Sequence, residues 1–134
     1  MKTTALSIVI LTIATLMLGR ETAYAANRYG IACIYNRTAT TINYAIQVGD
    51  GAWNAYSIAP GGTRWFSHTY DRQNENRSPD LRVRFDSDLR QGRFNITYKL
   101  QRRATQGQSC AEGKAYAFQY EPNNRSFIDL KAVR

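Results

Sequence analysis

The residue types that could do chemistry are few and countable. His68 is the only histidine, and Cys33 and Cys110 are the only cysteines, in a chain of 134 residues. One imidazole excludes any mechanism that needs two, and it excludes a histidine-rich metal centre. Ser67, Ser78 and Asp71 lie close to His68 in sequence, but no G-x-S-x-G or comparable signature selects a Ser/His/Asp arrangement. Asp86 and Asp88 have a D-x-D spacing used by some Ca²⁺ loops. Arg90 and Arg93 follow where further oxygen ligands would be needed, so Asp86 is expected to pair with Arg84 or a cross-strand arginine instead. Every acid lies in a turn or beside an arginine, which lowers a carboxyl pKa, so no general acid for glycoside hydrolysis stands out. The sequence calls for no catalytic residue, metal or cofactor.

The more informative chemistry is cationic and aromatic. Lys plus Arg number 18 against 10 Asp plus Glu, for a net charge of +8. Arg82 and Arg84 fall on one face of a strand by period two, and Arg64, Trp65, His68 and Tyr70 fall on another segment, expected to neighbour it. Arginine beside exposed aromatic rings suits carboxylate and phosphate groups, sugars and acidic partners. These six residues form the candidate binding site. The competing reading places Trp53, Trp65 and most tyrosines in the core, with arginines lining an ordinary solvent face.

Positioning falls to short strands. Ile42-Asn43-Tyr44-Ala45-Ile46-Gln47-Val48 alternates strictly, as do Leu81 to Phe85 and Phe94 to Gln101. Weaker segments of the same kind cover Tyr29 to Tyr35, Trp53 to Ile58, Thr63 to Tyr70, Ala115 to Tyr120 and Ser126 to Val133. Gly49-Asp50-Gly51, Pro60-Gly61-Gly62 and Glu121-Pro122-Asn123-Asn124 punctuate them. Asp71 to Asp80 and Arg103 to Lys114 read as long polar loops. No segment has a helical period. The expected fold is all-β: an antiparallel β-sandwich or small open barrel of about eight strands, with one disulfide, in a single domain over 26–134.

The N-terminus reads as a cleaved secretory signal over 1–25. Lys2 precedes an apolar run from Ala5 to Leu18, Arg20 and Glu21 close it, and Ala23-Tyr24-Ala25 supplies the cleavage pattern. The run is shorter than the roughly 20 residues of a membrane span, so no transmembrane segment is expected in the mature protein. Residues 26–134 keep a net charge of +7, and arginine dominates their cations. In a secreted or periplasmic location, Cys33 and Cys110 are expected to pair, closing a loop of about 78 residues and stabilising by roughly 4 kcal/mol. Sequons at Asn36, Asn76, Asn95 and Asn124 would matter only in a eukaryotic secretory pathway.

Several runs resemble small exported bacterial proteins of unknown function: Asn36-Arg37-Thr38, Ile42-Asn43-Tyr44, Trp53, Ser57-Ile58-Ala59-Pro60-Gly61, His68-Thr69-Tyr70, Ser78-Pro79, Val83 through Leu89, and Gly113-Lys114. The resemblance spans most of residues 26–134 and implies an exported protein. It brings no catalytic residue with it. The expected function is a noncatalytic binding or interaction module for an anionic glycan or an acidic protein at the cell envelope. Specific nucleic-acid binding is not expected, because no recognition helix, zinc finger or RNP signature is present. Two alternatives are a small secreted hydrolase centred on His68 with the 71–80 loop, and an inhibitor or toxin acting through the 103–114 loop.

Overall fold

The computed structural model describes residues 28–72, 75 and 77–134. The expected leader over 1–25 and the Asn76 sequon lie outside the described residues. Nine strands form two packed sheets, with no helix among the described residues: β1 (Tyr29–Asn36), β2 (Ile42–Val48), β3 (Asn54–Ile58), β4 (Thr63–Thr69), β5 (Leu81–Phe85), β6 (Ile96–Leu100), β7 (Arg103–Thr105), β8 (Lys114–Glu121) and β9 (Asn124–Ala132). One sheet has the order β4-β1-β8-β9, with β7 pairing the first half of β1; the other has the order β3-β2-β5-β6. Neither closes into a barrel. The fold is the expected sandwich with the expected disulfide, Cys33–Cys110.

Two details differ from the sequence expectation. The three-residue β7 lies inside the stretch read as a polar loop, because Arg103-Ala104-Thr105 is too short to show a period, yet it pairs Tyr29–Ile31. The first sheet is also mixed, since β1 runs parallel to β8 from Ala32↔Lys114 to Asn36↔Phe118. That pairing accounts for the composition of β1: its Gly30–Ile34 stretch is buried without interruption, as a strand covered on both faces requires. By contrast β5 alternates, with Leu81, Val83 and Phe85 inward and the two arginines outward.

The core between the sheets is aromatic at its centre. Phe118 lies 5.2 Å from Phe85 and 5.7 Å from Tyr44, ring centre to ring centre, and Tyr44 stacks on Tyr56 at 5.7 Å. Burial pushes the Tyr44 phenol up to about 12. Its hydroxyl has no hydrogen-bond partner among the described residues.

The chain switches sheets between β3 and β4 through Ala59-Pro60-Gly61-Gly62, where Gly61 adopts φ +75°, a left-handed conformation suited to glycine. Asn36 pins this corner. Its side-chain amide donates to the Ile58 and Thr40 carbonyls at 2.9 and 2.8 Å, and its carbonyl oxygen accepts from the Thr38 amide and hydroxyl at 2.9 and 2.7 Å. At 1% exposure, the Asn36 sequon is a buried structural hub.

Candidate functional site

The outer face of the β3-β2-β5-β6 sheet carries the strongest grouping of charge and aromatic surface. Because β5 turns its apolar residues inward, Arg82 and Arg84 project outward, beside Gln47 and Ala45 on β2 and Lys99 and Thr97 on β6. The small Ala45 opposite Arg84 leaves room above the sheet. The Arg84 guanidinium fills it, 4.4 Å from the centre of the Trp53 ring and 5.7 Å from that of Phe94. Its Nε is buried without a hydrogen-bond partner, and no acid forms an ion pair with Arg84 among the described residues. A planar cation is thus fixed between two rings by contacts that leave its donors uncommitted.

Arg82 is differently occupied. Its Nη2 donates to Asp80 Oδ2 at 3.2 Å, while Lys99 Nζ meets Asp80 Oδ1 at 3.1 Å. Lys99, by hydrogen bond and charge, holds the Asp80 carboxyl below its ordinary range, and Arg82 adds to the effect.

The remaining candidates sit elsewhere. β4 is the edge strand of the other sheet and pairs β1, whereas β5 lies between β2 and β6; the expected adjacency of these two segments is therefore corrected. Period two also splits the β4 residues. Trp65 is cross-strand from Cys33 on the outer face and 45% exposed, whereas Arg64 and His68 lie on the inner side with Phe66, whose partner Ala32 belongs to the core. Arg64 caps the mouth of the sandwich, 4.3 Å from the centre of the Tyr56 ring. Trp65 and Arg64 border an open groove of about 610 Å³ beside Cys110.

His68 packs edge-on against Tyr70 at 5.6 Å. Tyr70 is buried over Gly30, where an added Cβ would come within 2.6 Å of its hydroxyl. Tyr70 is therefore a packing residue, and no acid or serine hydrogen-bonds His68 among the described residues. Six candidates thus separate into Arg82 and Arg84 on one face, and Arg64, Trp65, His68 and Tyr70 along the edge of the other sheet.

The D-x-D pair is consumed locally. Asp86 accepts from the Asp88 amide at 2.9 Å and from the Arg93 amide at 2.9 Å, rather than pairing with Arg84, and Asp88 accepts from the Arg90 amide at 3.0 Å. No group of three or more His, Cys, Asp or Glu residues suited to a metal occurs among the described residues.

No family model matches the chain, and no curated protein or solved structure matches it either. The site therefore rests on its own geometry. Sequence reasoning missed Trp53 and Phe94. The signal for Trp53 was present: counting back by twos from Ser57 through Ala55 places it on the outer face, away from the inward Tyr56 and Ile58. Period two places Phe94 on the apolar face with Ile96, Tyr98 and Leu100, but β6 begins only at Ile96; Phe94 lies in the irregular segment before it, with its ring beside Arg84.

Proposed function

We propose that this protein is an exported, noncatalytic binding module for an anionic glycan at the cell envelope, and that the glycan lies on the outer face of the β3-β2-β5-β6 sheet. The single observation that carries the reading is Arg84, fixed between Trp53 and Phe94 with a buried Nε that lacks a partner. A guanidinium oriented in advance loses little rotamer freedom when it takes a carboxylate or sulfate, and bidentate geometry adds direction to charge. Gln47 and Asn43 on β2 extend the same face with amides that match sugar hydroxyls. An outward sheet face suits an extended chain better than a small metabolite, which calls for a concave pocket. The apolar leader-like run and the disulfide support export.

The test is binding of the oxidised protein to anionic and neutral oligosaccharides at low and high salt. Selective binding that survives salt and falls tenfold or more in Arg84→Ala is the expected result. Uniform binding that salt abolishes, or binding indifferent to Arg84→Ala, rejects it in favour of bulk charge or an acidic protein partner.

A further inference from the structure

Where β5 begins and β6 ends, a cleft of about 570 Å³ opens between the 77–81 and 99–102 segments. Arg77, Lys99 and Arg102 line it against a single acid, Asp80. The Asp80 carboxylate bridges two cations, one on each oxygen, at 3.1 Å to Lys99 and 3.2 Å to Arg82. These cations are therefore already arranged around a two-oxygen anion. Arg102 donates through Nη1 to the Pro79 carbonyl at 3.0 Å, and its Nε is buried without a partner among the described residues.

Asp80 is poised to leave. Its backbone is fixed, since the Gly49 amide donates to the Asp80 carbonyl at 2.7 Å, so only the side chain must rotate. The side chains of Asp80, Arg82 and Lys99 all remain in contact with water, and exposed pairs of this kind contribute little. A carboxylate has two oxygens, and Asp80 has committed both. A sulfate or phosphate ester presents three and carries its charge on each of them, enough to engage Arg82 and Lys99 and leave one oxygen for a further donor of the cleft.

Resting on the proposed glycan reading, we infer that this cleft is a second subsite, which takes a sulfate or phosphate ester of the bound sugar, and that Asp80 occupies it in the free protein as an internal stand-in. Ligand binding exchanges one noncovalent anion for another; the displaced Asp80 stays ionised and turns to water. Arg84 then contacts the chain further along β5, two residues from Arg82, while the ester enters the cleft.

Calorimetric titration of the oxidised protein at one fixed ionic strength tests this, with three probes of equal charge: a sulfated oligosaccharide, its phosphorylated counterpart and an oligo-uronate. At least one ester is expected to bind more tightly than the uronate, and comparing the two esters identifies the group. Asp80→Asn is expected to tighten that ester tenfold or more, while Asp50→Asn, removing an equal charge at the β2–β3 turn, changes it less than twofold. Lys99→Gln is expected to weaken the ester about tenfold and the uronate less than threefold. The inference is overturned if neither ester exceeds the uronate, if Asp80→Asn and Asp50→Asn act alike, or if Lys99→Gln weakens all probes equally. Arg84→Ala separates the two levels: loss of binding with no Asp80 effect rejects only the cleft, whereas an Asp80 effect without any Arg84 effect rejects only the Arg84 face.

Discussion

The outer faces of the two sheets have been put to opposite uses. On the β4-β1-β8-β9 sheet, Ile31, Cys33, Ala115 and Ala117 point away from the central core and are nonetheless fully buried. The 106–113 segment lies over Ile31 and Cys33, tied down by the Cys33–Cys110 bond and pressed so close at Gly113 that an added Cβ would come within 2.7 Å of Ile31 Cγ2. Arg134 adds a clasp, donating to the Cys110 carbonyl and the Tyr35 hydroxyl. On the β3-β2-β5-β6 sheet the corresponding face has no such cover among the described residues and presents Arg82, Arg84, Lys99, Asn43 and Gln47 outward. A small sandwich gains a second, minor core by covering one face, and can then leave the other polar without losing its stability. The proposed binding surface and the covered, disulfide-tied face thereby fall on different sheets.

The sharpest way to break this division is to remove the tether. Cys33→Ala with Cys110→Ala is expected to cost about 4 kcal/mol by denaturant unfolding, from the chain freedom restored across a separation of 77 residues. A loss below about 1 kcal/mol would mean that the cover adds no stability of its own. Gly113→Ala strikes the same cover from the inside, and its clash with Ile31 is expected to cost about 1–3 kcal/mol in the same measurement. Stripping the open face should do far less. Arg84→Ala is expected to change stability by at most about 1 kcal/mol, the range of a partly exposed cation over aromatic rings, while abolishing most glycan binding. If Arg84→Ala unfolded the protein as readily as Gly113→Ala, the separation of roles would be wrong.

The smallest expected effect lies at the seam joining the sheets, where the Tyr98 hydroxyl donates to Asp129 Oδ1 at 2.7 Å. That hydrogen bond, followed by burial, pushes the Tyr98 phenol up from 10.0 to about 12. The folded state therefore holds the proton more tightly than the unfolded chain. The stabilisation is intact below pH 10 and is lost as pH rises toward 12, because a phenolate beside a carboxylate repels it. Tyr98→Phe is expected to flatten the alkaline limb of a melting-temperature profile slightly, with no change near neutrality beyond the loss of one exposed hydrogen bond. Tyr44, also raised to about 12, retains its own share of that limb.

How much of this could be read in advance depended on whether the information was local. Alternation in Leu81 to Phe85 was enough to place both arginines on one exposed face, and two cysteines admit one pairing. Strand adjacency was not legible, because β4 and β5 are consecutive in sequence but the corner at Pro60 to Gly62 had already carried the chain into the other sheet. The same corner gives Asn36-Arg37-Thr38 a structural reason that its sequon pattern concealed. Trp53 was obscured by its type, since a tryptophan beside a strand reads as core until parity is counted. Tyr70 was misread for a related reason: its polar tip suited a site, but its ring fills the space above Gly30.

The parallel pairing of β1 with β8 sets the order in which the chain can fold. All four strands of the β3-β2-β5-β6 sheet find their partners within residues 42–100, whereas β1 gains β7 on the first half of its second edge only at 103–105 and must wait for residues from 114 onward before the Ala32–Asn36 half is occupied. Pairings between distant segments close slowly, so β1 is the late step. Until then its Ala32–Ile34 stretch, apolar throughout, stands as an unpaired edge with a free thiol at its centre. The danger period for this protein is therefore its synthesis and oxidation, when a premature bond at Cys33 or an edge-to-edge encounter between two chains would trap it before β8 arrives.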